Sequence, residues 1–144
     1  DNGARKQLTN NEDLFPDLTR MIVQRFTVTR ADGFTFRTVV YLPSNYKEGT
    51  RLPGFFWFYP AEFTSQEQYD NGRGGGAAGL APAMTFPNFG TLSKQFLVRL
   101  GYAVIENASP IVGPTGQMNN SYVNDLRNNL SATIDELEGA LRRE

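Results

Sequence analysis

Residues 52–63, Leu-Pro-Gly-Phe-Phe-Trp-Phe-Tyr-Pro-Ala-Glu-Phe, constrain the fold more than any other segment. Side chains alternate between the two faces of a strand, and residues 54–59 put apolar groups on both. A strand of that kind belongs inside a parallel sheet covered by helices. A second buried run, Tyr-Ala-Val-Ile-Glu at 102–106, follows after a segment with helical character. Strand, crossover helix and parallel strand form a βαβ unit, so the sequence predicts an α/β fold. Pro53 suits the start of the first strand, where a missing N–H is tolerated.

Upstream, residues 21–29 read as a strand with apolar side chains at Ile22, Phe26 and Val28. Ala31-Asp-Gly33 is a turn, because Asp-Gly readily takes the positive φ of a tight hairpin. Residues 34–42 alternate more cleanly, with Phe34, Phe36, Thr38 and Val40 on one face. Together these predict a β-hairpin. Residues 1–16 are polar, with little to bury, and 64–89 read as one long loop around the glycine run from Gly72 to Gly79. Thr91 is placed to cap a short helix through Leu100 that Gly101 ends. Residues 107–120 read as a second loop. The last segment predicts a helix with Val123, Leu126, Leu130, Ile134, Leu137 and Leu141 in one apolar stripe. Asn120 or Ser121 would cap it, and Arg142 and Arg143 suit its C-terminal end.

The residue inventory closes off several kinds of chemistry. With 14 basic and 15 acidic side chains and no basic run, the chain is a poor partner for nucleic acid, whose affinity rests on Lys and Arg. It has no cysteine and no histidine, which removes disulfides, thiolate nucleophiles and the usual zinc ligands. Only oxygen ligands remain, and no calcium-loop pattern appears. Asp135, Glu136 and Glu138 read as a solvated helix face. The glycine run lacks the Lys-Ser/Thr of a phosphate-binding loop and reads as a flexible connection. Three Asn-x-Ser triplets, at Asn107, Asn119 and Asn129, carry no weight, since the triplet is common by chance. No apolar run reaches the roughly 20 residues that span a bilayer, and residues 1–6 have no signal-peptide character. A soluble domain, cytoplasmic or periplasmic, is expected, with no cofactor.

Tyr59 has two readings. It is one more aromatic at the end of a buried strand, where aromatics are enriched. Alternatively its phenolic O–H points from the C-terminal edge of that strand at a developing oxyanion, a contact that can contribute on the order of 3 kcal/mol to a transition state.

Several segments, in order, resemble the prolyl oligopeptidase family of serine peptidases, in its glutamyl-endopeptidase and acylaminoacyl-peptidase-like branch. They are Arg5-Lys-Gln-Leu-Thr9 with Phe15-Pro-Asp17, Thr29-Arg-Ala-Asp-Gly33 with Val40-Tyr-Leu-Pro43 and Tyr46, and Phe56-Trp-Phe-Tyr-Pro-Ala-Glu-Phe63. Leu100-Gly-Tyr-Ala-Val104, Pro110-Ile-Val-Gly113 and the helix with Tyr122 and Asp125 continue the match. The resemblance implies residues 1–20 as the end of a β-propeller and its linker, and 21–144 as the N-terminal part of an α/β-hydrolase domain. It implies a peptide substrate, a Ser-His-Asp triad, and Tyr59 as the side-chain donor of the oxyanion hole. Glu62 matches a loop residue with no role attached.

The chain departs from that pattern in lacking the G-x-S-x-G elbow and any histidine. The expectation is therefore a C-terminally incomplete sequence, inactive by itself, with the triad beyond Glu144. The strand at 54–59 would then lie beside 102–106 with its other edge unpaired, an invitation to self-association. The alternative is a non-catalytic α/β binding or interaction module. An esterase or lipase fits residues 53–63 less well.

Overall fold

The first turn is closed by Gly33, which sits at φ +88°, a conformation that costs a side-chain-bearing residue energy. Arg30 N–H donates to Phe34 O and Gly33 N–H to Arg30 O, both at 2.9 Å. The turn joins β1 (Ile22–Thr29) to β2 (Thr35–Leu42), which pair antiparallel in unbroken register from Ile22 opposite Leu42 to Thr29 opposite Thr35. Phe34, Phe36, Thr38 and Val40 are all buried, as their alternation requires. The computed structural model describes residues 8–10, 12–57, 59–71, 93–106 and 109–142, with side chains to residue 139.

Beyond the hairpin lie β3 (Gly54–Trp57), β4 (Ala61–Phe63), β5 (Ala103–Glu106) and β6 (Pro110–Val112). The main sheet has the order β1-β2-β5-β3, with β5 antiparallel to β2 and parallel to β3. The parallel strands at 54–57 and 103–106 are thus neighbours, as expected, and the hairpin extends their sheet. The result is a mixed sheet with helices, a small α/β arrangement. After a bend, the same two chain segments pair again as β4 and β6, a parallel two-stranded ladder.

β3 departs from the expectation of burial on both faces. It ends at Trp57 and is an edge strand, with Phe55 and Phe56 only partly covered and Trp57 44% exposed. Among the described residues no further strand is laddered beyond it.

Both expected loops contain regular structure. Within 64–89, α2 (Gln66–Asn71) forms a helix, and residues 72–89, with the Gly72–Gly79 run, lie outside the described residues. Ser65 Oγ accepts from the Gln68 N–H, a start signal of the ordinary kind. β5 reaches only Val39 to Tyr41 of β2, so the rest of that edge needs other partners. α2 supplies them. The Gln66 amide takes both backbone groups of Thr35, at 2.8 and 3.0 Å, and the Tyr69 hydroxyl accepts the Arg37 N–H at 2.8 Å. These contacts satisfy a half-unpaired strand without another strand. Tyr69 also stacks edge-on with Phe34 and Phe63, in a cluster that includes Val28 and Phe36.

Within 107–120, the expected loop holds β6 and a 3₁₀ turn, Met118–Ser121. The expected helix from Thr91 shrinks to α3 (Phe96–Arg99), and Thr91 lies outside the described residues. Its end is as expected: Gly101 takes φ +88°, with Tyr102 N–H to Leu97 O and Gly101 N–H to Val98 O forming a Schellman closure. A single turn, α1 (Pro16–Thr19), packs against α3 through buried Leu18 and an Asp17–Arg99 ion pair of 2.5 Å.

The long helix α4 (Tyr122–Arg142) corrects the sequence reading most. Its buried residues are Asp125, Asn129 and Thr133, whereas Val123 is 59% and Ile134 38% exposed. Leu137, partly covered, packs on a second cluster of Val40, Leu42 and Ile105, which Phe26 links to the first. The helix therefore turns a polar row, spaced by four, toward β1 and β6, and its apolar stripe lies to one side. Ser121, one of the two expected caps, uses its hydroxyl as a donor, toward Val112 O and Met118 O at 3.2 Å. Its hydroxyl lies 2.9 Å from Asp125 Oδ2.

Candidate functional site

In open α/β sheets, ligands gather beyond the carboxyl ends of the parallel strands. Here those ends carry Tyr59 and Ser109, where the chain bends from the main sheet into the β4–β6 ladder. Tyr59 is 87% exposed, so its phenol is free to meet a ligand. Tyr59 is therefore not part of the packed core, whichever of its two readings applies. Its backbone, by contrast, is held: the Ser109 hydroxyl donates to Tyr59 O at 2.8 Å. Ala61 N–H returns to Ser109 O at 3.2 Å.

The other acidic and basic side chains nearby already have partners. Glu62, exposed, accepts from the Asn119 side chain across the ladder. Glu106, at the end of β5, is 8% exposed and lies 2.9 Å from Lys94 Nζ through Oε1. That pair lacks the alignment of a hydrogen bond. Lys94 also sits over the Trp57 ring, 5.6 Å from its centre, and burial lowers its pKa below the ordinary lysine value.

Beneath the ladder is a buried polar cluster that the sequence reading missed. Arg30, 4% exposed, directs all five guanidinium N–H groups to protein acceptors. Nε and Nη2 meet the Asp32 carboxylate, Nη2 also reaches Asp125 Oδ1 at 3.0 Å, and Nη1 reaches Asn129 Oδ1 at 3.2 Å and Pro110 O at 3.5 Å. Asp125 further accepts the Val112 N–H at 2.8 Å, and Asn129 Nδ2 donates to Pro110 O at 2.9 Å. Burial opposes the charge on Arg30, but the hydrogen bonds and charges of Asp32 and Asp125 outweigh it, and its pKa rises. Arg30 in turn holds Asp32 below the usual carboxylate range. The signal was present in the sequence: Asp125, Asn129 and Thr133 recur every four residues, the spacing of one helix face. Asn129 is fully buried, which removes its triplet as a modification site.

The arrangement offers a solvent-facing hydrogen-bond donor at Tyr59 on a firmly anchored bend. Ser109 is no nucleophile here, because its hydroxyl serves Tyr59 O. Among the described residues there is no cluster of three metal-ligating side chains, and no helix is long and apolar enough to cross a membrane.

Comparison with known proteins gives one informative similarity. The chain is 28% identical over 137 residues to a probable chloroplastic glutamyl endopeptidase of Arabidopsis thaliana. The match takes in 92% of this chain and 13% of the relative, so the chain spans a small part of that protein's length. No family model and no solved structure matches it.

Proposed function

We propose that this chain is part of a serine peptidase of the prolyl oligopeptidase type, glutamyl-endopeptidase branch, and supplies one half of its oxyanion hole. The observation that carries the reading is the position of Tyr59, exposed just past the end of β3, the outermost strand among the described residues. Similarity to a protein named as a probable glutamyl endopeptidase supports it. So does the strand order, in which β3 lies next to β5 and is the outermost of the described strands, the side on which this reading puts the nucleophile-bearing strand.

On this reading the nucleophilic Ser, the His that takes its proton and the Asp that orients the His come from outside these 144 residues, which contain no His. The Ser attacks the scissile carbonyl of a peptide, and its oxygen gains negative charge. Tyr59 O–H donates to that oxygen, together with the backbone N–H that follows the Ser. No cofactor is required. Residues 1–20 derive from the end of a β-propeller domain, and 21–144 open the catalytic domain.

The test is the intact mass of the native gene product, with its labelling by a fluorophosphonate serine probe. A product several times heavier than 16.1 kDa that labels is expected. In that product Tyr59→Phe should lower kcat by about a hundredfold with KM little changed. A native product that ends at Glu144 and stays unlabelled sinks the reading. It would favour a non-catalytic module, the alternative that the lack of histidine supports.

A further inference from the structure

We infer that Ser109 is a positioning residue for the Tyr59 phenol, and that the buried Arg30–Asn129 pair holds Ser109 in place. The inference rests on the peptidase reading for its catalytic consequence, but its structural half stands alone.

A side chain that is 87% exposed has few contacts of its own to aim it, so its direction depends on the backbone beneath. At Tyr59 that backbone is restricted twice over. Pro60 follows it, which confines Tyr59 to extended conformations and fixes the next φ. Ser109 then brackets the proline, donating to Tyr59 O on one side and accepting from Ala61 N–H on the other. Without that bracket, a bend between two sheets would depend on proline stiffness alone.

Ser109 is itself 4% exposed and precedes a proline, so it shares the same restriction. The carbonyl of Pro110 accepts from Asn129 Nδ2 and faces Arg30 Nη1. The hairpin turn and α4 are thereby tied to the residue that clamps Tyr59. Displacing a catalytic donor by a fraction of an ångström weakens its action on the transition state more than on bound substrate.

Amide hydrogen exchange in the 144-residue chain tests the clamp directly. Ser109→Ala should speed exchange at Ala61 about tenfold while leaving Val28 and Val39 unchanged. Ser109→Thr, which keeps the hydroxyl, should restore the slow rate. Unchanged exchange at Ala61 in Ser109→Ala overturns the clamp. In the labelling-competent product, Ser109→Ala should lower kcat about tenfold with KM within about twofold, and should add nothing on top of Tyr59→Phe. An equal loss of kcat in both backgrounds overturns the positioning role and leaves Ser109 merely structural. If Tyr59→Phe itself leaves kcat unchanged, the oxyanion reading fails, and the exchange data still decide the clamp.

Discussion

Arg30 is a residue on which several separate segments converge. It joins the hairpin turn, β6 and α4 through the guanidinium of a side chain that is only 3% exposed. Removing one partner of a buried ion pair costs more than the pair contributes, because the other charge is left uncompensated. Arg30→Met should therefore destabilise the chain by about 3 kcal/mol, measured by urea unfolding, and Arg30→Met with Asp125→Leu should recover part of the loss. Asp32 adds a pH dependence whose sign is fixed. Its folded pKa is depressed by the Arg30 hydrogen bond, so its contribution is present above the unfolded value, about 3.9. It is lost as pH falls through the lower, folded value. Asp32→Asn should flatten that part of the decline, in unfolding midpoints followed from pH 6 to pH 2.5. With its side chain 48% exposed, the effect is smaller than that of the buried pair.

At the scale of elements, α4 separates two classes of side chain that the sequence made look reversed. Asn129→Ala should cost about 2 kcal/mol, since Pro110 O and an Arg30 N–H both lose a buried partner. Ile134→Gln, at a 38% exposed position, should stay within about 0.5 kcal/mol, and thermal melts of the two variants check the contrast. The hairpin was legible because alternation and Asp-Gly are local signals. So was the pairing of 54–57 with 103–106, which apolar runs announce. The polar row on α4 was not, because its partner Arg30 lies 99 positions from Asn129 and only the tertiary fold brings them together. β4, β6 and α2 were missed for a related reason. Three-residue strands carry too few alternations to read, and α2 is held by its contacts with Thr35 and Arg37 more than by its own periodicity. For the candidate site, the sequence pointed to Tyr59 through its place at the end of an apolar run, whereas Ser109 entered only as the last residue of the Asn107-Ala-Ser109 triplet, which carried no weight.

For the whole molecule, β3, outermost of the strands among the described residues, is the main liability. An apolar edge strand with unsatisfied backbone groups recruits further strands, and charge on the edge suppresses this. The 144-residue chain is expected to self-associate with rising concentration in sedimentation velocity runs. Trp57→Lys, at a 44% exposed edge position, should shift the distribution toward monomer. A wild-type chain that stays monomeric across the accessible range would contradict this.

The strand order also sets an order of assembly in time. β1 and β2 are joined by a tight turn and can zip together locally, in microseconds. β5 must find both β2 and β3 across long stretches of chain, and β3, whose ladder partner is β5, has no place in the sheet until that pairing forms. The segment that presents Tyr59 is thus tied to the hairpin only through β5, and is fixed later than the hairpin when the chain folds.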